Sequence, residues 1–300
     1  MRHTRVGAIA LCLVVAGAAV WAQRGPAPFR SRVDIVQVTV AVTDANGRLI
    51  TGLTQGDFQI FEDGVEQQIT QFTDQRVPVS LGLLLDASDS MRGQPAVDAR
   101  AAFDRFVGDL LLREDEVFVA TFNHLARLVK KWTMPPSSLQ GSLNELKPSG
   151  GTAIYDALAD TSRLFEQRVN LRAAMIVVSD GADTASDRSL LQTIDIVRRN
   201  DAFVYAIAID AQDGRDSTRV NPEALRDITG LTGGYTEVVR SAADLGPATA
   251  RIADELNKQY TIGFSSTKPP DGLWRPLRVR VRSGAYFVRA RRGYFAQPTR

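Results

Sequence analysis

The spacing of hydrophobic and polar positions changes character twice along the chain. From Val33 to Val42, β-branched residues alternate with others in the manner of a strand. The turn Asp44-Ala45-Asn46-Gly47 follows, then a second short strand predicted over Arg48 to Ile50. Phe58-Gln59-Ile60-Phe61 and Gln68-Ile69-Thr70-Gln71-Phe72 flank Asp63-Gly64, which predicts a hairpin. At Val77 the alternation stops. Pro78 to Leu85 is an apolar run suited to a strand buried on both faces, and helix-like and strand-like segments take turns from there. Helices are predicted over Met91 to Leu112, Ala153 to Arg168, Asp187 to Arg199, Pro222 to Thr229 and Ala243 to Asn257. The strands between them are Glu116 to Phe122, its antiparallel neighbour Ala126 to Trp132, Ala173 to Val178, Ala202 to Ile209 and an outer strand at Tyr235 to Val239. Strand character returns at Tyr260 to Phe264, Leu277 to Val281 and Tyr286 to Arg291, separated by Pro269-Pro270-Asp271-Gly272 and Ser283-Gly284.

Such alternation predicts an α/β fold with a doubly wound, mostly parallel sheet over residues 77–258. The flanks at 33–76 and 259–300 are each too short to close a sheet with a core of its own. They are expected to pair into one β-sandwich, with the α/β part inserted between them.

Met1 to Arg5 is basic, Val6 to Val20 is almost wholly apolar, and Val20-Trp21-Ala22 ends the run, so residues 1–22 read as a secretory signal peptide cleaved near Ala22, the alternative being an uncleaved membrane anchor, for which the apolar run is short. A Pro- and Arg-rich tether over 23–32 follows, and no later segment is long and apolar enough to span a membrane. The expected location is secreted or periplasmic. Cys12, the sole cysteine, lies inside the signal, which leaves the mature chain without thiol or disulfide. Losing Arg2 and Arg5 reduces 36 basic residues to 34, equal to the 34 acidic ones, so net charge offers no argument for nucleic acid. Arg275, Arg278, Arg280, Arg282, Arg289, Arg291 and Arg292 are spaced as charges on the solvated face of strands. Tyr235, Trp274 and Phe287 are expected to cover the core or a sheet.

In open parallel sheets, ligands gather beyond the carboxyl ends of strands. Asp86 ends the first buried strand and Asp180 ends another; Ser88 and Ser90 alternate along the loop after Asp86, and Gly150-Gly151 lets a separate loop bring Thr152 close. Five hard oxygen donors suit a divalent cation with six-coordinate oxygen geometry, Mg2+ or in its place Mn2+.

Asp86-x-Ser88-x-Ser90, Thr152 and Asp180, in that order, resemble the metal-ion-dependent adhesion site of von Willebrand factor type A domains, the domain also found as the ligand-binding insert of integrins. The resemblance covers about Pro78 to Asn257 and implies a Rossmann-like sheet. It also implies Ser88, Ser90 and Thr152 as direct ligands, with Asp86 and Asp180 direct or acting through water. The implied partner is a protein that supplies an Asp or Glu to the metal. Type A domains often shift their last helix between affinity states, and here that helix would run straight into the strand at Tyr260. Gly52-Leu53-Thr54, Asp57 to Gly64 and Arg292-Gly293-Tyr294-Phe295 are similar to the flanks of exported bacterial proteins with this domain. The expectation is therefore an exported, non-enzymatic adhesion or protein-binding module.

A different class is an envelope structural or assembly module in which metal only stiffens the loops. A metal-assisted hydrolase lacks a nameable general base, because His124, the sole histidine outside the signal, falls in the turn Phe122-Asn123-His124-Leu125. Asp86-x-Ser88 has Ser where aspartyl phosphotransferases carry a second Asp, and Gly150-Gly151-Thr152 lacks the Lys of a phosphate-binding loop. Asp89 and Asp183 read as exposed turn residues.

Overall fold

The computed structural model describes residues 35–180, 182–210 and 221–297; the expected signal and tether, and Gly181, lie outside the described residues. The chain opens with β1 (Ile35–Thr43), β2 (Phe58–Glu62), β3 (Val65–Gln67) and β4 (Ile69–Thr73). β2 and β3 form a hairpin whose turn residues, Asp63 at φ 49° and Gly64 at φ 82°, are both left-handed as a type I′ turn requires. Arg48 to Ile50 does not become a strand: Leu49 makes a single bridge to Thr43.

The central segment runs β5 (Val79–Asp86), α1 (Gln94–Arg105), β6 (Glu116–Phe122), β7 (Ala126–Thr133), α2 (Ile154–Ser162), β8 (Arg172–Ser179), α3 (Leu190–Val197), β9 (Ala202–Ile209), α4 (Pro222–Thr232), β10 (Thr236–Val239) and α5 (Leu245–Lys258). Its strands lie in the order β10-β9-β8-β5-β6-β7, parallel except for β7. Every residue of β5, β6, β8 and β9 is buried. Period-two alternation divides them between two cores. Leu81, Leu83, Ala174, Ile176, Tyr205 and Ile207 face α1 and α5, while Leu84, Met175, Val177, Val204 and Ala206 face α2 and α4. With no polar face available along these strands, polar chemistry is confined to their ends.

α1, α2 and α3 are shorter than the apolar pattern predicts, whereas α4 runs three residues past the predicted Thr229 to Thr232; local geometry at the starts of α3 and α1 accounts for their late beginnings. Ser189 Oγ accepts the N–H of Gln192, whose side chain returns a bond to the Ser189 N–H, so α3 begins at Leu190 rather than Asp187. Met91 sits in a 3-10 turn, and α1 starts only after Gly93.

After α5 come β11 (Tyr260–Ser265), β12 (Trp274–Val281), β13 (Phe287–Ala290) and β14 (Gly293–Phe295). These pair with the first strands as two antiparallel four-stranded sheets, β13-β1-β11-β4 and β14-β12-β2-β3. β4 therefore leaves the hairpin beside it in sequence and joins the other sheet. Val38, Val40, Ile262 and Phe264 of one sheet and Phe58, Ile60, Leu277 and Val279 of the other form a common core.

Three of the arginines expected in solvent are instead tied into the structure. Arg275 is 3% exposed and donates to Ser266 at 2.8 Å beside the buried Glu62 carboxylate. Arg291 pairs with Asp201 and donates to the Gln37 carbonyl at 2.7 Å. Arg289 of β13 pairs with Glu255 of α5, which also accepts the Tyr205 hydroxyl at 2.9 Å. Arg278, Arg280 and Arg282 do lie on an exposed face, the first two over the Phe61 ring. Tyr235 and Trp274 are part-buried, whereas Phe287 is 63% exposed.

Removing Arg289 leaves the Glu255 carboxylate buried without its cation. Arg289→Ala should cost roughly 3 kcal/mol in urea unfolding; a change below about 0.5 kcal/mol would mean that the Tyr205 hydroxyl alone satisfies Glu255.

Candidate metal centre

Asp86 is the last residue of β5, and Asp180 follows the last residue of the adjacent parallel strand β8. The two carboxylates therefore emerge side by side at the carboxyl edge of the sheet. Asp86 is fully buried, and both its oxygens are engaged: Oδ1 accepts the Ser88 N–H at 2.8 Å and Oδ2 accepts the Ser179 hydroxyl at 2.5 Å. Ser90 Oγ donates to Asp180 Oδ1 at 2.7 Å and lies 3.0 Å from Ser88 Oγ. Asp86, Ser88, Ser90 and Asp180 thus form one connected polar group.

Thr152 approaches from a separate loop. The Ser149 N–H bonds to the Ala87 carbonyl at 2.7 Å, and the Asp89 N–H to the Gly150 carbonyl at 3.0 Å, which fastens the Gly150-Gly151-Thr152 loop to the one carrying Ser88 and Ser90. Gly150 adopts φ +80°, a left-handed conformation, and a Cβ there would stand 3.0 Å from His124 Nδ1. Thr152 itself is buried, with its N–H on Thr184 Oγ1 at 3.1 Å and its carbonyl accepting the Thr184 N–H at 2.8 Å.

Sequence reasoning assigned no role to Ser179, although its position between a buried strand and Asp180 is the signal that could have shown one. Asp183 is not the exposed turn residue expected. Its carboxylate accepts the Tyr155 N–H at 3.0 Å and the Ser186 hydroxyl at 2.6 Å, closing the first turn of α2 against the loop after β8. Asp89 is exposed and pairs with Arg92 at 2.7 Å. His124 is exposed in its turn.

Residues 81–182 match the family model of the von Willebrand factor type A domain. The chain contains a type A domain. An uncharacterized protein of Synechocystis sp. is 34% identical over 87 residues, 28% of this chain, and the matched stretch spans only 20% of that relative's length. Among solved structures, the von Willebrand factor type A protein of Catenulispora acidiphila superposes with a TM-score of 0.52 at 15% identity, covering 87% of this chain and 72% of its own. An aerotolerance-related membrane protein from Bacteroides fragilis gives 0.51 at 21% identity, covering 60% and 99%. At these identities the structures establish a shared fold.

The donors at the edge of the type A domain are oxygens only. Among the described residues, no three His, Cys, Asp or Glu side chains gather in a ligating cluster, so a cation here would depend on hydroxyls. Two carboxylates and three small hydroxyl side chains fit a hard divalent ion and are poorly matched to zinc. Electrostatics agree with the fit. Burial, above all, pushes the Asp86 carboxyl up to about 6; the Ser179 and Ser88 hydrogen bonds oppose this, and the Asp180 charge adds to it. Burial likewise raises Asp180, against the Ser90 hydrogen bond.

An acid whose folded pKa exceeds its unfolded value takes up a proton on folding. In metal-free protein, stability from this group is fully present below the ordinary 3.8 and is lost as pH rises through about 6. Urea unfolding between pH 4 and pH 7.5 should show a loss on the order of 3 kcal/mol, and Asp86→Asn should flatten it. An equal slope in the variant would assign the loss to other groups.

Proposed function

We propose that this chain is an exported, non-enzymatic binding protein whose type A domain captures an acidic group of a protein ligand through Mg2+, or Mn2+, held by Asp86, Ser88, Ser90, Thr152 and Asp180. The observation that carries this reading is the Ser88–Ser90–Asp180 chain of hydroxyls and carboxylate beside Asp86, all at the shared carboxyl edge of β5 and β8. Bound there, the cation supplies a positive coordination position open to an incoming carboxylate. Ser88 and Ser90 offer neutral oxygens, which leave that charge largely uncompensated. Asp86, with both oxygens already accepting hydrogen bonds, holds the Ser88 backbone in place and would balance part of the cation's charge.

In the same reading, residues 1–22 are a signal peptide, 23–32 a tether, and the paired four-stranded sheets a β-sandwich into which the type A domain of 77–258 is inserted. Cell-envelope or secreted location is supported by the basic and apolar start of the chain and by the fold shared with a bacterial membrane protein. Among the described residues no helix is long and apolar enough to cross a membrane.

Titration calorimetry should detect Mg2+ binding that Asp86→Ala and Asp180→Ala each weaken at least about tenfold. Envelope proteins captured by the immobilised chain in Mg2+ should be released by chelator and absent from both variants. Partners retained under all three conditions would overturn the adhesion reading and favour an envelope assembly module that binds through its sheets.

A further inference from the structure

Beside the metal loops lies a cleft of about 420 Å³ for which the carboxylate reading has no use. Its apolar floor comes from Val129 of β7 and from Leu143 and Leu146 on the segment returning toward Ser149. Arg127, Lys147 and His124 stand exposed around it. Because β7 is the edge strand of the six-stranded sheet, the cleft opens at the flank of the domain.

The cleft adjoins the loops that carry the candidate metal centre. Ala87, between Asp86 and Ser88, contributes to its lining, as does Ser149, which is bonded to the Ala87 carbonyl. Asn123 Nδ2 donates to the Ser149 carbonyl at 2.8 Å, fixing the β6–β7 turn against that wall. His124 abuts Gly150, two residues before Thr152. A ligand chain with one carboxylate at the metal would therefore meet this cleft as its neighbouring surface.

The charge around the cleft indicates what kind of chain fits. Arg92, Arg188 and Arg251 each face a carboxylate of this protein. Among the described residues, neither Arg127 nor Lys147 has an ion-pair partner. Glu145 contributes an acid to the lining, opposed by these two cations. Unanswered cations above an apolar floor complement acidic side chains whose stems can lie on Val129, Leu143 and Leu146.

We propose that this cleft seats an acidic stretch of the partner protein, continuing from the carboxylate received at the metal centre. The inference rests on the reading of that centre given above. Arg127 and Lys147 select for further acidic residues in the ligand, and the metal holds the first.

The test uses two synthetic peptides in a Gly/Ser background: one with a single Asp, and one with the same Asp followed by three Glu. Each is titrated into the 15N-labelled full chain, with amide shifts as the readout, in Mg2+ or chelator and at low or high salt. In Mg2+ at low salt the tri-Glu peptide should bind about three- to tenfold tighter, as expected of two exposed ion pairs, and the advantage should shrink with salt. The double variant Arg127→Glu/Lys147→Glu should abolish the advantage while leaving Mg2+ affinity and single-Asp binding unchanged. Equal affinities of the two peptides, or an advantage that survives charge reversal, would overturn the cleft and leave the metal reading intact. A charge-dependent advantage that persists in chelator would keep the cleft and overturn the metal reading. Absence of binding by either peptide in Mg2+ would overturn both.

Discussion

Burial of the Asp86 carboxylate at the end of a strand with no polar face is the constraint on which the rest of the candidate site depends. A charge in that position is costly unless hydrogen bonds and an opposing charge compensate it. Ser179 and the Ser88 N–H supply the hydrogen bonds, and in doing so they fix the direction of the loop that carries Ser88 and Ser90. The parallel register of β5 with β8 then brings Asp180 alongside, so that compensation and repulsion arise from the same pairing. A divalent cation bound there, as proposed, would relieve this repulsion.

Polar groups at the opposite end of the sheet serve architecture. Arg172, at the start of β8, donates to the Val77 carbonyl at 2.6 Å and to the Leu256 carbonyl at 2.8 Å. Gln259 bonds to the Tyr205 hydroxyl at 2.9 Å, which in turn reaches Glu255 and, through it, Arg289. These groups bond mainly to one another and to the backbone, although Arg172 Nε has no hydrogen-bond partner and Arg289 is part-exposed.

Much of the central sheet was legible because its strands are buried on both faces and read as uninterrupted apolar runs; Glu116 to Phe122 and Ala202 to Ile209 fall at the predicted positions. Helix starts were less legible, since an apolar period does not reveal that Ser189 rather than Asp187 caps α3. The fate of β4 was hidden altogether: alternation identifies a strand but not its partner, and Gln68 sends Ile69 to Thr73 across to β11. The same gap accounts for Arg275 and Arg289, whose alternation fits a solvated strand face until Glu62 and Glu255 are brought against them from elsewhere in the chain. At the site, residue types and order pointed to Asp86, Ser88, Ser90, Thr152 and Asp180. The supporting roles of Ser179 and Asp183 depend on loop directions that no local pattern encodes.

Arg172 also bears on the order in which this molecule can assemble. Val40 pairs with Tyr260 across nearly the whole described chain, and from an unfolded chain that pairing would require closing a very long loop before any contact rewarded it. Once the six-stranded sheet has formed, one guanidinium holds Val77 and Gln259, the points where the chain enters and leaves it, against each other. The outer strands then meet as though joined by a short connection. Folding of the central sheet first turns a pairing distant in sequence into a local one.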